Sequence, residues 1–307
     1  MDVYLPIANL AVNGLVIVLL GAATGILSGI FGVGGGFLTT PMMIFYGIPP
    51  TVAAASSASQ VTGASVSGVL AHSRRNGVDY EMGAVLTAGG VVGTGLGALL
   101  FNLLAAIGQI DTVINILYVV LLGTIGSLMG RESLQSLRQA KTGERPRAAK
   151  RRHHPLVANL PLRWRFYRSG LYISPIAPFV LGIIVGVLTA IMGVGGGFIL
   201  VPAMVYVLRM PAGMVVGTSL LQIIVTSTLT GILQAGRNQT VDIVLASLLI
   251  VGGIVGAQYG ARASYRFRAE ELRAILALIV LAVGLRMGLG LFFAPDEPFV
   301  LLSGMGG

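Results

Sequence analysis

The stretch that decides the fold is GILSGIFGVGGGFLTTP, residues 25–41, because it returns as GVLTAIMGVGGGFILVP at residues 186–202. At that offset of 161 positions, Gly21, Gly25, Gly32, Gly34, Gly35, Gly36, Phe37 and Pro41 meet identical residues. The match then continues with two small shifts. Ser57 and Gln60 meet Ser219 and Gln222, SGVLAHSRRNGVDY (67–80) meets TGILQAGRNQTVDI (230–243), and GGVVGTGLGA (89–98) meets GGIVGAQYGA (252–261). Self-similarity over so long a span marks two copies of one structural unit.

Composition says where such a unit lives. Of 307 residues, 55% are apolar and only 10% charged, against about 25% charged in soluble domains. Mean hydropathy is +0.87. The 44 glycines follow no Gly-X-Y period, which excludes collagen, and hydrophobicity excludes disorder. Apolar runs at 10–31, 51–72, 82–104, 110–130, 176–193, 211–235, 241–261 and 271–293 suit helices crossing a core about 30 Å thick. Runs 37–47 and 198–208 are too short for comfortable spans. Lipid demands internal backbone satisfaction, and no barrel-like alternation is present. The expected fold is an all-α polytopic membrane protein of about eight full or partial spans plus short half-helices, built from two repeats. Its parts are a first transmembrane repeat (1–130), a basic cytoplasmic loop (131–175), a second repeat (176–293) and a short outside tail (294–307).

Charge placement orients the repeats. The net charge of +9 would suggest nucleic-acid binding in a soluble chain, but 11 of the 20 Lys and Arg lie in residues 131–175, between apolar runs. Cytoplasmic loops have that character, so no nucleic-acid partner is expected. With this segment inside, a parallel second repeat would strand Arg209, Arg262, Arg266, Arg268 and Arg273 outside. An inverted one strands only Arg237. The pattern favours inverted repeats, each starting with a glycine-broken helical hairpin, and both termini outside. The opening MDVYLPIANL has no positive n-region, so no cleavable signal peptide is expected.

The glycine clusters are the strongest local signal. Three consecutive glycines end one helix, and the next restarts at Phe37 or Phe198 with Pro41 or Pro202 near its first turn. Its N-terminus offers unpaired N–H groups and a positive dipole end, an anion site held in the membrane. The competing reading is close helix packing, which the spacing Gly21, Gly25, Gly29 supports for the first helix. A dinucleotide loop lacks the preceding strand and the following acidic residue. The next helix is unusually polar, with Ser57 and Gln60 on one face, as are Ser219 and Gln222 in the second copy. The two Gln amides suit either a substrate at the repeat interface or interhelical hydrogen bonds.

The chemistry that is missing narrows the function further. There is no cysteine, so disulfides, thiolate metal sites and thiol catalysis are excluded. His72, His153 and His154 have no metal-ligand spacing with a third partner. Asp79, Glu81, Asp111 and Asp242 fall at helix ends, where capping accounts for them. Arg286 is the one clear charge within a span. No catalytic set, cofactor or metal is expected, and the chain does not read as an enzyme. Segment 131–175, with Trp164, Phe166 and Tyr167 in LRWRFYRSGLY (162–172), fits either an amphipathic stretch on the anionic inner leaflet or a plain orientation-setting loop.

The doubled glycine-rich signature resembles that of the sulfite exporter TauE/SafE family of membrane permeases, over roughly residues 10–293. The resemblance implies movement of a small sulfur-containing anion, sulfite or an organosulfonate, across a bacterial inner membrane. On this reading the chain is a secondary transporter, an exporter, with the anion held by Gly34, Gly35, Gly36, Phe37, Ser57 and Gln60 and by Gly195, Gly196, Gly197, Phe198, Ser219 and Gln222. The alternatives are a non-transporting scaffold whose glycines only pack, or an anion channel. A homo-oligomer stays open.

Overall fold

A computed structural model describes residues 2–31, 33–74, 76–142, 161, 164–263 and 269–292. Gly32, Arg75, Arg266, Arg268, His153, His154, most of the basic loop and the 294–307 tail lie outside the described residues. Within them the first copy comprises strands β1 (Asp2–Leu5) and β2 (Leu10–Asn13), then helices α1 (Gly14–Phe31), α2 (Gly36–Phe45), α3 (Pro50–Ser73), α4 (Tyr80–Ala106) and α5 (Ile110–Thr142). The second repeats the order: β3 (Trp164–Phe166), β4 (Leu171–Ile173), α6 (Ile176–Met192), α7 (Gly197–Tyr206), α8 (Ala212–Leu233), α9 (Ile243–Ala263) and α10 (Ala269–Phe292). Among the described residues, five helices are long and apolar enough to cross a membrane: α1, α4, α5 through Arg131, α8 continued to Asn238, and α9. Helix α3 has the length, at 24 residues, but its serines, threonines and glutamine lower its hydropathy. At about 1.5 Å per residue, the 10-residue α2 and α7 reach only about half of a 30 Å core.

Local chemistry sets the boundaries. Pro50 opens α3, where its missing N–H costs nothing. Asp79 caps α4 by accepting from the Met82 amide at 3.1 Å. Asp242 caps α9 from the Val244 and Leu245 amides, both at 3.1 Å. Both carboxylates are fully buried, and each also accepts an amide from the hairpin that opens a repeat. Asp79 takes Ser169 and Asp242 takes Ile7, each at 3.0 Å. The capping expectation for these residues therefore understates them, because each pins a hairpin to a helix start.

Equivalent helices exchange partners between the copies. Helix α1 lies along α9, and α6 lies along α4. In both seams the two helices run the same way: Gly21, Gly25 and Gly29 meet Leu249, Gly253 and Ala257, while Gly89, Gly93 and Gly97 meet Phe179, Ile183 and Val187. A Cβ on Gly21 would lie 2.7 Å from the Leu249 carbonyl oxygen. Glycine is there to let backbones touch, so the packing reading holds for the first helix. By contrast α3 crosses its counterpart α8 in opposite senses, with Ser59 by Gly231 and Leu220 by Gly68. Helix α5 crosses α10 likewise, with Gly126 by Val280 and Gly284 by Leu122.

Following these directions gives the molecule two ends. One carries β1–β2, the turns 107–109 and 239–242, and the starts of α1, α3 and α5. The other carries β3–β4, the 74–79 turn and the starts of α4, α6 and α8. Two findings depart from the sequence reading. Residues 131–142 of the basic segment continue α5 as helix, and 164–173 form an antiparallel hairpin. That hairpin buries Phe166 and exposes Trp164, Tyr167 and Tyr172.

Candidate functional site

The two glycine turns meet each other in the middle of the molecule. Gly34 and Gly35 have φ of +87° and +75°, and Gly195 and Gly196 have +76° and +74°, a region closed to most side chains. The turn lets the chain reverse and start α2 at Gly36 and α7 at Gly197, one residue earlier than the sequence suggested. Pro41 and Pro202 consequently stand inside their helices. A Cβ on Gly36 would lie 2.7 Å from the Gly193 carbonyl oxygen, and one on Gly197 would lie 2.5 Å from that of Val33. Each turn therefore packs its backbone on the other's. Gly34 and Gly195 also rest on Val61 and Ile223, which sit near the midpoints of α3 and α8.

Phe37 and Phe198 close the same spot with stacked rings, 4.5 Å between centroids and 5° from parallel. Beside them Tyr118, fully buried in α5, donates its hydroxyl to the Met192 carbonyl at 2.9 Å. This tyrosine, which fixes the end of α6 ahead of its glycine turn, had no signal in the sequence beyond an aromatic residue in a span.

The two glutamines, equivalent in sequence, are not equivalent in surroundings. Gln60 Nε2 donates to Thr24 Oγ1 at 3.1 Å, and its Oε1 accepts from Thr39 Oγ1 at 2.9 Å. It thereby ties α3 to α1 and α2. At an offset of 161, Thr24 becomes Val185 and Thr39 becomes Leu200. Gln222, with no exposed surface, has neither Nε2 nor Oε1 hydrogen-bonded. Its amide faces α4, where a Cβ on Gly90 would lie 2.9 Å from Nε2.

Ser57 is held tightly: its hydroxyl lies 2.7 Å from Thr40 Oγ1, 2.9 Å from the Ala54 carbonyl and 3.2 Å from that of Gly193. It therefore bolts α3 to the other copy's glycine turn. Ser219 donates to the Val216 carbonyl at 2.9 Å, within its own helix. Further along the polar faces, Ser65 and its counterpart Ser227 are both buried with free hydroxyls, as are Thr94 and Thr230. Ser227 Oγ would stand 3.2 Å from a Cβ on Gly195, so a free hydroxyl points at the second glycine turn. Buried polar atoms are ordinarily satisfied. Gln222, Ser227 and Thr230 on α8, with Thr94 on α4, form a lane of buried polar side chains with no hydrogen-bond partner among the described residues.

Arg286 is exposed, with its guanidinium 4.3 Å from the centre of the Phe45 ring. It belongs to the β1–β2 end and has no part in this lane. Asp111 likewise sits at that end, accepting the Thr51 amide at 3.0 Å.

Comparison with known proteins identifies the architecture. The family described as Sulfite exporter TauE/SafE matches residues 17–287. A probable membrane transporter protein YjnA of Bacillus subtilis (strain 168) is 27% identical over 274 residues, covering 88% of this chain and 98% of its own. A probable membrane transporter protein of Xylella fastidiosa (strain 9a5c) is 28% identical, covering 86% and 91%. No solved structure matches the chain.

Proposed function

The chain belongs to the sulfite exporter TauE/SafE family, and on that premise we propose that it exports a small sulfur-containing anion, sulfite or an organosulfonate, across the bacterial inner membrane. Membership and its relatives make it a membrane transporter of a small-molecule substrate. The observation that carries the anion reading is Gln222. An amide in lipid-buried protein with both ends unsatisfied is costly, and donating to an oxyanion would satisfy its Nε2. The glycine turns, the free hydroxyl of Ser227 and the amide of Gln222 would hold the anion. Ser57, Gln60 and Ser219 would frame them, and the paired Phe37 and Phe198 would block the passage between the halves.

The arrangement supports inverted repeats. Two equivalent helices that cross in opposite senses, as α3 and α8 do, are related by an axis perpendicular to both, and for spanning helices that axis lies in the membrane plane. The β3–β4 end carries Arg74, Arg131, Arg165, Arg168, Arg209 and Arg262, and the β1–β2 end carries Arg237 and Arg286. The positive-inside rule then puts β3–β4 in the cytoplasm. There Trp164, Tyr167 and Tyr172 suit the anionic leaflet surface.

Export needs no coupling ion on energetic grounds. An anion leaving a negative interior gains about 2.3 kcal/mol per charge per 100 mV, which supports roughly a fortyfold gradient. The test is sulfite or alkanesulfonate flux in proteoliposomes under an imposed potassium diffusion potential, without proton or sodium gradients. Saturable, voltage-driven flux is expected. Flux that fails to saturate marks a channel, the absence of both flux and anion-dependent stabilisation marks a scaffold, and dependence on an ion gradient overturns the uncoupled mechanism.

A further inference from the structure

A cleft of about 520 Å³ opens between the C-terminal halves of α3 and α9, at the β3–β4 end, lined among others by Ser67, Ala71 and Arg74 on α3 and Gln258, Ala261 and Arg262 on α9. Among the described residues its lining includes no carboxylate. The repeat supplies a counterpart at the opposite end, between α8 and α4, where Thr230, Gln234, Arg237 and Ala98 take the places of Ser67, Ala71, Arg74 and Ala261. That counterpart has collapsed to about 20 Å³, too little for an ion and its water. Two substitutions between the copies explain the difference. Ala71 leaves the first cleft empty, while Gln234 fills the second, donating to the Ala190 carbonyl at 2.8 Å and accepting from Thr240 Oγ1 at 3.0 Å. Arg262 gives the first cleft a second guanidinium where the other has Leu99.

From this pair of cavities we infer that the α3–α9 cleft is a loading site for a small oxyanion, with Arg74 and Arg262 as its receptors and the α4–α8 cleft as the closed exit, latched by Gln234. The inference rests on the transporter reading and adds the side on which the anion is taken up. Two guanidiniums with no ion-pair partner among the described residues recruit sulfonate- or phosphate-type groups through charge-assisted hydrogen bonds, and the cleft concentrates their field. An exporter needs its collecting charge on the cytoplasmic side, and the charge is asymmetric in that sense.

The chain has no cysteine, so single cysteines report without background. Ser67→Cys and Thr230→Cys occupy equivalent positions in the two clefts and are probed with N-ethylmaleimide, whose double bond the thiolate attacks, so that reaction needs water at the sulfur to ionise it. Ser67→Cys is expected to react at least tenfold faster. In phosphatidylcholine vesicles, ethanesulfonate at ten times its Kd should slow that reaction about tenfold by occupancy. Chloride at equal ionic strength should not, and Arg74→Gln or Arg262→Leu should abolish the protection. A parallel arm replaces ethanesulfonate with phosphatidylglycerol in the bilayer. Protection there alone assigns the same oxyanion site to a lipid headgroup rather than a free substrate. Equal reactivity of the two cysteines, protection by neither source, or protection that survives both arginine substitutions overturns the inference. None of these readouts requires flux, so a chain that binds without transporting defeats the export reading and leaves the loading site standing.

Discussion

Phe37 and Phe198 are 161 positions apart, occupy the same place in their respective repeats, and lie ring against ring at the centre of the protein. Each residue therefore finds its packing partner in its own image. Truncating either to Ala should cost about 3–5 kcal/mol. The double variant should cost less than the sum by more than about 0.5 kcal/mol, since the residues share one contact. Denaturation of the four proteins in detergent measures this, and strict additivity would mean the stack contributes nothing of its own.

Gln60 and Gln222 should part company when each is replaced by Met. Removing Gln60 breaks two hydrogen bonds between helices and leaves the Thr24 and Thr39 hydroxyls only the backbone carbonyls of Leu20, Gly21 and Gly35, which should destabilise by about 1–3 kcal/mol. Removing Gln222 deletes an amide that has no partner to lose, so stability should hold or rise while flux falls at least tenfold. A Gln222→Met protein as unstable as Gln60→Met, or one that still transports, contradicts the assignment.

The glycine turns should tolerate no side chain. Gly35→Leu and Gly196→Leu force a left-handed residue, a strain of roughly 1–3 kcal/mol, beside Thr24 or Val185. Transport should be lost while membrane insertion persists, as read by flux and by membrane fractionation. Retained transport in both would leave these glycines a packing role alone.

Asp242→Asn should loosen one end of the molecule selectively. It leaves one acceptor oxygen where there were two, so an NH2 group must face either the Ile7 amide held by Oδ2 or the Val244 and Leu245 amides held by Oδ1. Hydrogen exchange at those amides should quicken, with little change at Ser169, which depends on Asp79. Uniform acceleration over both hairpins would show that the two carboxylates act through global stability.

Orientation is open to tagging. Reporters at both termini should read outside and one at residue 150 should read inside. A cytoplasmic terminus would contradict the inverted arrangement.

Much of this was legible in the chain because the decisive features are repeated. The glycine turns, the paired polar faces and the helix starts at Asp79 and Asp242 each appear twice, and duplication separates signal from the background of apolar residues. The hairpins were not legible, since four-residue strands such as LAVN have no periodicity long enough to distinguish them from the flank of a helix. The different fates of Gln60 and Gln222 could have been found by asking where the copies disagree. Thr24 against Val185 and Thr39 against Leu200 remove the second glutamine's partners, but similarity searches reward agreement and pass over such positions. Tyr118 could not have been found, because its acceptor is a carbonyl 74 residues away, at Met192.

The exchange of partners between the copies sets a timetable for biosynthesis. Helix α4 finds α6 about 90 residues later, whereas the Gly21–Gly25–Gly29 face of α1 meets α9 only after some 228 more residues have been made. At roughly 5–20 residues per second, that face spends about 10–45 s against lipid or the insertion machinery before any backbone can fill it. Helix α1, made well before its partner α9, is thus among the last to be seated.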